Sequence, residues 1–150
     1  MNAPHTYGEW VKLLKMLESR TSDAEVLSAM QNGTLEWQSG VAERFIKKLN
    51  DAVTARMNAA IDRFSRDQQN SMGQERILIQ ALEDLRKEFA FLYRCMDLPA
   101  IPEDTRKKCM DTIKNSADNV QQNLETSCGS GADRTGRLLY VVQHHRVNDF

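Results

Sequence analysis

Residues 41–70 contain neither glycine nor proline and carry apolar side chains at helical spacing. Steps of three or four residues place side chains on one face of an α-helix, whereas steps of two would indicate a strand. A helix of this length measures about 45 Å. Its apolar face must be covered by another long helix of the same chain or by a partner. It is the third helix that the pattern predicts along the chain, α3, over about 39–70, and we call its apolar face the α3 stripe. The stripe consists of Val41, Phe45, Leu49, Val53, Met57, Ile61 and Phe64.

A second apolar stripe follows the first after a short connection. The two patterns predict helices over about 39–70 and 73–96, and a short connection makes neighbouring helices antiparallel. Pro99 and Pro102 then interrupt the chain, because proline does not suit a helix interior. The second stripe contains Leu78, Leu82, Leu85, Phe89, Leu92 and Met96.

The rest of the chain keeps the helical pattern. Apolar residues recur at three and four in segments before residue 33 and after Pro102, and no segment alternates like a half-buried strand. We therefore predict an all-α fold. It is a helical bundle of five or six helices in a single domain, 1–150, with a long antiparallel hairpin of about 39–70 and 73–96.

Three local features of this bundle are also predicted. Ser22 precedes Asp23 and should cap a short helix, which Asn32 and Gly33 should end with a left-handed residue. Arg56 is one of several basic residues interleaved with acids along the long helix. We expect that mixed face to be solvated.

The charge balance argues against nucleic acid and anionic membranes as partners. The chain has 20 Lys and Arg against 21 Asp and Glu, and each third of it is close to neutral. A nucleic-acid-binding regulator would need a basic stripe or patch. No apolar run approaches membrane-spanning length, and the N-terminus has no apolar signal region. Three cysteines are an odd number, which favours reduced thiols in the cytoplasm.

One short segment has the spacing of a catalytic motif. Cys128 is followed by Gly131 three residues later, by Arg134 six residues later, and then by Thr135 and Gly136. This segment resembles the phosphate-binding loop of cysteine-dependent phosphatases, with Ser127 where many of them carry histidine.

The resemblance implies a role for each of these residues. Cys128 would be the nucleophilic thiolate, lowered in pKa by backbone amides and a helix N-terminus. Arg134 would hold two phosphate oxygens with its planar guanidinium. Asp97 or Asp104 would be the general acid that protonates the leaving oxygen.

The same residues also fit a turn between two helices. In the phosphatases the cysteine ends a buried parallel strand, which reads as a continuous apolar run. Here the preceding residues, 121–127, contain one apolar side chain, Leu124, in register with Val120 and Ala117 on a helix. Gly129 would then end that helix.

Other candidates for chemistry or binding are few. His144 and His145 are adjacent, so their side chains diverge by about 100° on a helix and we expect no metal site. No motif indicates a cofactor. Trp10, Trp37 and Phe64 are the candidate anchors for a partner, although aromatic residues at helical spacing also pack in cores.

We therefore expect a non-enzymatic cytoplasmic helical protein that acts through protein–protein interaction, as an adaptor, regulator or chaperone-like partner. A second copy or another protein could cover part of the α3 stripe. The alternative is a cysteine-dependent phosphatase that uses the loop from Cys128 to Arg134.

Overall fold

The computed structural model describes residues 1–36, 38, 40–70, 74–128 and 136–150. Within these ranges the chain forms six α-helices and no strand. The predicted all-α fold is confirmed. Both long helices end at the predicted residue, and each begins two residues after its predicted start. The helices are α1 (Tyr7–Glu18), α2 (Asp23–Gln31), α3 (Val41–Asn70), α4 (Glu75–Met96), α5 (Glu103–Cys128) and α6 (Arg137–His144).

The chain, for which the sequence predicts a single domain, divides into two compact units. Unit 1 consists of Met1–Asn58 with Leu92–Met110, and unit 2 of Ala59–Phe91 with Asp111–Phe150. The division therefore falls inside α3, α4 and α5. Each unit has its own buried core.

The core of unit 1 forms around Trp10, which is fully buried. Its ring meets Phe45 edge to face, with centroids 5.0 Å apart. Its indole N–H donates to the carbonyl of Thr34 at 2.9 Å, so the polar atom of this large side chain is satisfied. The apolar faces of α1 and of the first half of α3 are buried here, together with one residue before Pro99 and one between Pro99 and Pro102. They include Leu13, Leu14, Leu17, Leu49, Val53, Met57, Leu98 and Ile101.

Arg56 is buried in unit 1, which corrects the expectation that it lies on a solvated face. Its side chain has no exposed surface. The guanidinium donates to both carboxylate oxygens of Asp23 at 2.8 and 3.0 Å and to the carbonyl of Leu17 at 3.1 Å. Leu17 lies in the last turn of α1, where carbonyls lack helical partners, and Asp23 is the first residue of α2. The hydrogen bonds of the Arg56 side chain thus connect α1 and α2 to α3.

Ser22 occupies the N-cap position of α2, as predicted, but it does not cap the helix. Its backbone is left-handed, with φ 56°, and its side chain makes no capping hydrogen bond. A side-chain cap requires an extended backbone at this position, which brings the hydroxyl to the free N–H groups. By contrast, Thr6 is extended and accepts from the backbone N–H of Glu9 at 3.2 Å, so it caps α1.

Gly33 is required for close packing, not for the left-handed conformation that the sequence predicts. Its φ is not positive, and Asn32 has φ −96°. A Cβ atom at Gly33 would lie 2.7 Å from the indole ring of Trp10 and 2.8 Å from the ring of Pro4. The chain passes so close to these two rings that only glycine fits.

In unit 2, Gln121 joins α6 and the residues after it to α5. This side chain is almost fully buried. Its amide N–H donates to the carbonyl of Val142 at 3.1 Å, and its oxygen accepts from the backbone N–H of Val147 at 3.0 Å. Both polar ends of the amide are therefore satisfied in the interior. The apolar neighbours in this core include Phe64, Leu78, Leu82, Leu85, Phe89, Ile113, Ala117, Val141, Val142 and Val147.

Two further contacts hold the last residues against unit 2. Lys114 donates to the carbonyls of Asn148 and Phe150, and its ammonium lies 4.3 Å from the centroid of the Phe150 ring. That ring also stacks on Phe89, with centroids 6.5 Å apart. Residues 145–150 are therefore part of the folded unit, although they follow the last helix.

We predict that Gly33→Ala destabilises the protein while Gly8→Ala does not. The added methyl group at position 33 overpacks the site between Trp10 and Pro4 and should cost about 1–3 kcal/mol. Gly8 lies in α1 with open space around it. There, alanine should stabilise the helix by up to about 1 kcal/mol. Urea unfolding followed by circular dichroism measures both values, and equal effects would contradict the packing role of Gly33.

We predict that Arg56→Ala lowers the free energy of unfolding by about 3 kcal/mol, the lower end of the range for removing one member of a buried ion pair. The low end applies because the Asp23 side chain remains 35% exposed and is partly solvated. Arg66→Ala, on an exposed position of the same helix, is the control and should change stability by less than about 0.5 kcal/mol. An equally small change for Arg56→Ala would show that the ion pair does not hold the helices together.

Candidate functional site

Cys128 is the last residue of α5 and is half-buried. Gly136 has a left-handed φ of 71° and precedes α6. Residues 129–135, which include Arg134, Gly131 and Thr135, lie outside the described residues. The thiol therefore lies at the end of a helix, as predicted for a turn between two helices. No strand occurs in the described ranges to supply the setting that the phosphatase loop has in its family.

The two candidate general acids lie in unit 1, on the surface. The Asp97 side chain is 57% exposed, and its carboxylate lies 3.8 Å from the guanidinium of Arg106. Asp104 is exposed in the first turn of α5. There it stabilises the helix N-terminus.

The other two thiols are buried in unit 1. Cys95 has no exposed surface and Cys109 is 6% exposed. Burial raises the pKa of the Cys109 thiol, because the thiolate would lose its hydration. All three cysteines lie in the described part of the chain, and none forms a disulfide.

The adjacent histidines point to different partners. Nδ1 of His144 lies 2.8 Å from the carbonyl oxygen of Tyr140, and its ring stacks on the Tyr140 ring at a centroid distance of 3.8 Å. Nδ1 of His145 lies 3.4 Å from Oε1 of Glu83. Hydrogen bonding from Arg86, and more weakly from His145, lowers the pKa of Glu83. Among the described residues no group of three or more His, Cys, Asp or Glu side chains could hold a metal ion.

The candidate aromatic anchors are buried where the structure describes them. Trp10 has no exposed surface and Phe64 is 5% exposed. Trp37 lies outside the described residues. Most of the α3 stripe is likewise buried within its own unit, including Phe45, Leu49 and Val53. A partner that binds α3 in the folded chain therefore has to use a different face of this helix.

That face carries a groove of about 660 Å³ in unit 1, between the first half of α3 and the start of α5. Two rows of α3 side chains line it, each with the i, i+4, i+8 spacing of a helix ridge. The inner row is half-buried and the outer row is exposed. The inner row is Ala42, Ile46 and Asn50, the outer row is Glu43, Lys47 and Asp51, and α5 contributes Thr105.

The outer row carries charges that form no ion pair within the described part of the chain. No ion pair or hydrogen bond within the described residues involves the side chains of Glu43, Lys47 or Asp51. Other acidic side chains are paired, for example Glu75 with Arg137 at 2.7 Å and Asp23 with Arg56 at 2.8 Å. The groove therefore combines a partly apolar floor with a charged rim in the order negative, positive, negative.

A second surface groove, of about 550 Å³, lies beside the N-terminal residues of unit 1. Its polar groups already bond within the chain. Nδ1 of His5 lies 2.8 Å from Oγ1 of Thr34, and the hydroxyl of Thr6 donates to Glu9. Because these groups have partners, we take the α3–α5 groove as the candidate functional site.

Sequence reasoning did not single out Ile46 or its row. The sequence does contain the pattern, because Ala42 and Ile46 lie four residues apart, about one helical turn, directly beside the α3 stripe. Position 46 could equally have been the edge of the buried face. Only the placement of α5, which leaves this flank of α3 open next to Thr105, makes it a groove.

Comparisons with known proteins give no assignment: no protein-family model matches the chain, and neither a curated protein nor a solved structure shows detectable similarity to it. In the part of the chain that the structure describes, no helix is both long enough and apolar enough to cross a membrane.

We predict that Cys128 reacts with a thiol reagent such as Ellman's reagent much faster than the other two cysteines. Cys95 and Cys109 are buried, and the raised pKa of Cys109 further reduces its thiolate fraction. Cys128→Ser should remove the fast phase and Cys109→Ala should leave it. A fast phase that survives Cys128→Ser would contradict the assignment. Protection of Cys128 by phosphate or vanadate, lost in Arg134→Ala, would favour the phosphatase alternative.

Proposed function

We propose that this chain is a non-enzymatic cytoplasmic protein that binds a helix of another polypeptide in the α3–α5 groove. The observation that carries the proposal is the charged rim on α3, which has no ion-pair partner among the described residues, beside a partly apolar floor. This combination is typical of helix-in-groove recognition, in which apolar contacts supply affinity and rim charges select the partner.

The spacing of the side chains in the floor of the groove supports a helix as the bound element. Ridges formed by residues four apart pack into the grooves between equivalent ridges of a facing helix. The row of Ala42, Ile46 and Asn50 is such a ridge, with small or medium side chains that allow close approach. A facing helix with an apolar residue against Ile46 would remove the exposed part of that side chain from water.

The composition of the groove supports binding without catalysis. Its described lining contains neither histidine nor cysteine, which are the usual acid–base and nucleophilic groups at neutral pH. The charges that it does contain alternate along one exposed helix face. The near-neutral net charge of −1 favours a protein partner over nucleic acid or an anionic membrane. The odd number of cysteines supports a cytoplasmic location.

Site-specific photo-cross-linking tests the groove. A photoreactive phenylalanine derivative placed at position 46 should form a discrete adduct with the bound polypeptide in a native extract or with purified protein. The same group at position 48, on the opposite flank of α3, is the control and should give none. Lys48 is exposed and does not line the groove.

A second comparison uses the two adjacent lysines. Lys47→Glu reverses a rim charge and should abolish the adduct formed at position 46, whereas Lys48→Glu should leave it unchanged. Equal adducts at positions 46 and 48, or none at either, would overturn the proposed binding site.

A further inference from the structure

We propose that the polypeptide bound in the α3–α5 groove is a second copy of this chain, packed across a two-fold axis close to Ile46. This inference rests on the proposed function and names the partner for the same groove. The order of the charges along the rim is complementary to itself when two copies pack antiparallel, and the position of Ile46 selects the register.

The rim reads negative, positive, negative at Glu43, Lys47 and Asp51. In a two-fold contact between antiparallel helices, a residue before the axis meets the residue equally far beyond it on the other copy. Residues 43 and 47 are equidistant from residue 45, one position from Ile46. An axis there places Glu43 beside the partner's Lys47, and symmetry places Lys47 beside the partner's Glu43. The contact thus contains two ion pairs.

Two other symmetric arrangements bring like charges together. With the axis at residue 47, Lys47 would face the partner's Lys47, and Glu43 would face the partner's Asp51. With the helices parallel, every rim residue would face its own copy. Like charges across an interface cost free energy and reject the packing. An axis at residue 49 would also form two ion pairs, between Lys47 and the partner's Asp51, but it would place the polar Asn50 beside the axis in place of Ile46. The rim charges and the apolar side chain of Ile46 together therefore favour the register with the axis near residues 45 and 46.

The floor of the groove fits the same register. Ile46 is half-buried in the isolated chain, and near the axis it would pack against the partner's Ile46. Ala42 is small enough to let the two α3 helices approach. The net charge of −1 per chain gives little general repulsion between copies. Because the apolar contact is short and the ion pairs are exposed, we expect a weak dimer with a dissociation constant on the order of micromolar.

A charge-swap series measured by sedimentation velocity tests this dimer. The full chain should show concentration-dependent dimerisation at low salt that weakens at high salt. Glu43→Lys and Lys47→Glu each make both ion pairs repulsive and should raise the dissociation constant about tenfold or more. The double variant carrying both changes restores opposite charges across the axis and should regain the dimer. Lys48→Glu is the control and should dimerise like the unaltered chain.

The outcomes separate the dimer from the groove itself. A chain that stays monomeric at all concentrations, or a dimer that is insensitive to the charge swaps, overturns the inference. If position 46 still cross-links specifically to a different polypeptide, the groove remains a binding site and only the identity of the partner was wrong. If it cross-links to nothing, the proposed function fails as well. Circular dichroism of each variant shows whether the fold is retained.

Discussion

Removing the apolar stripe of α3 from water is the constraint on which both units depend. Each large aliphatic or aromatic side chain that becomes fully buried contributes about 1.5–3 kcal/mol. Of the seven stripe residues, five are buried and two, Val41 and Ile61, are half-buried. Phe45, Leu49 and Val53 are buried in unit 1, and Phe64 is buried in unit 2. The chain covers these positions with its own residues. The face of α3 that remains open is therefore not the stripe itself but its flank.

Two buried polar side chains position the shorter elements. The cost of burying a charge or an amide is offset only when all its polar atoms find partners. Arg56 meets this condition with Asp23 and the carbonyl of Leu17, at the junction between α1 and α2. Gln121 meets it with the backbone of Val142 and Val147. Apolar packing alone is non-directional, so these bonds supply the geometric specificity that apolar contacts lack.

The candidate site results from the way in which the other helices pack around α3. Because α5 begins beside the flank of α3 in unit 1, Ala42 and Ile46 remain half-buried next to Thr105 and form a groove. The charges of the outer rim form no ion pair within the residues that the structure describes, whereas several other acidic side chains have arginine partners. The rim suits recognition of a helix, and its alternating order allows that helix to come from a second copy.

The all-α class, the ends of the two long helices and most of the buried positions were predictable from the sequence, because helical periodicity is a local property that residues three and four apart reveal. The sequence also indicated that Cys128 lies at the end of a helix, since Leu124 keeps the register of that helix. Tertiary structure alone decided the burial of Arg56, the need for glycine at position 33 and the groove beside Ile46. Arg56 depends on Asp23, 33 residues away, Gly33 depends on the ring of Trp10, and the groove depends on where α5 begins. Each is a contact between distant segments, and no local spacing encodes which distant atoms will meet.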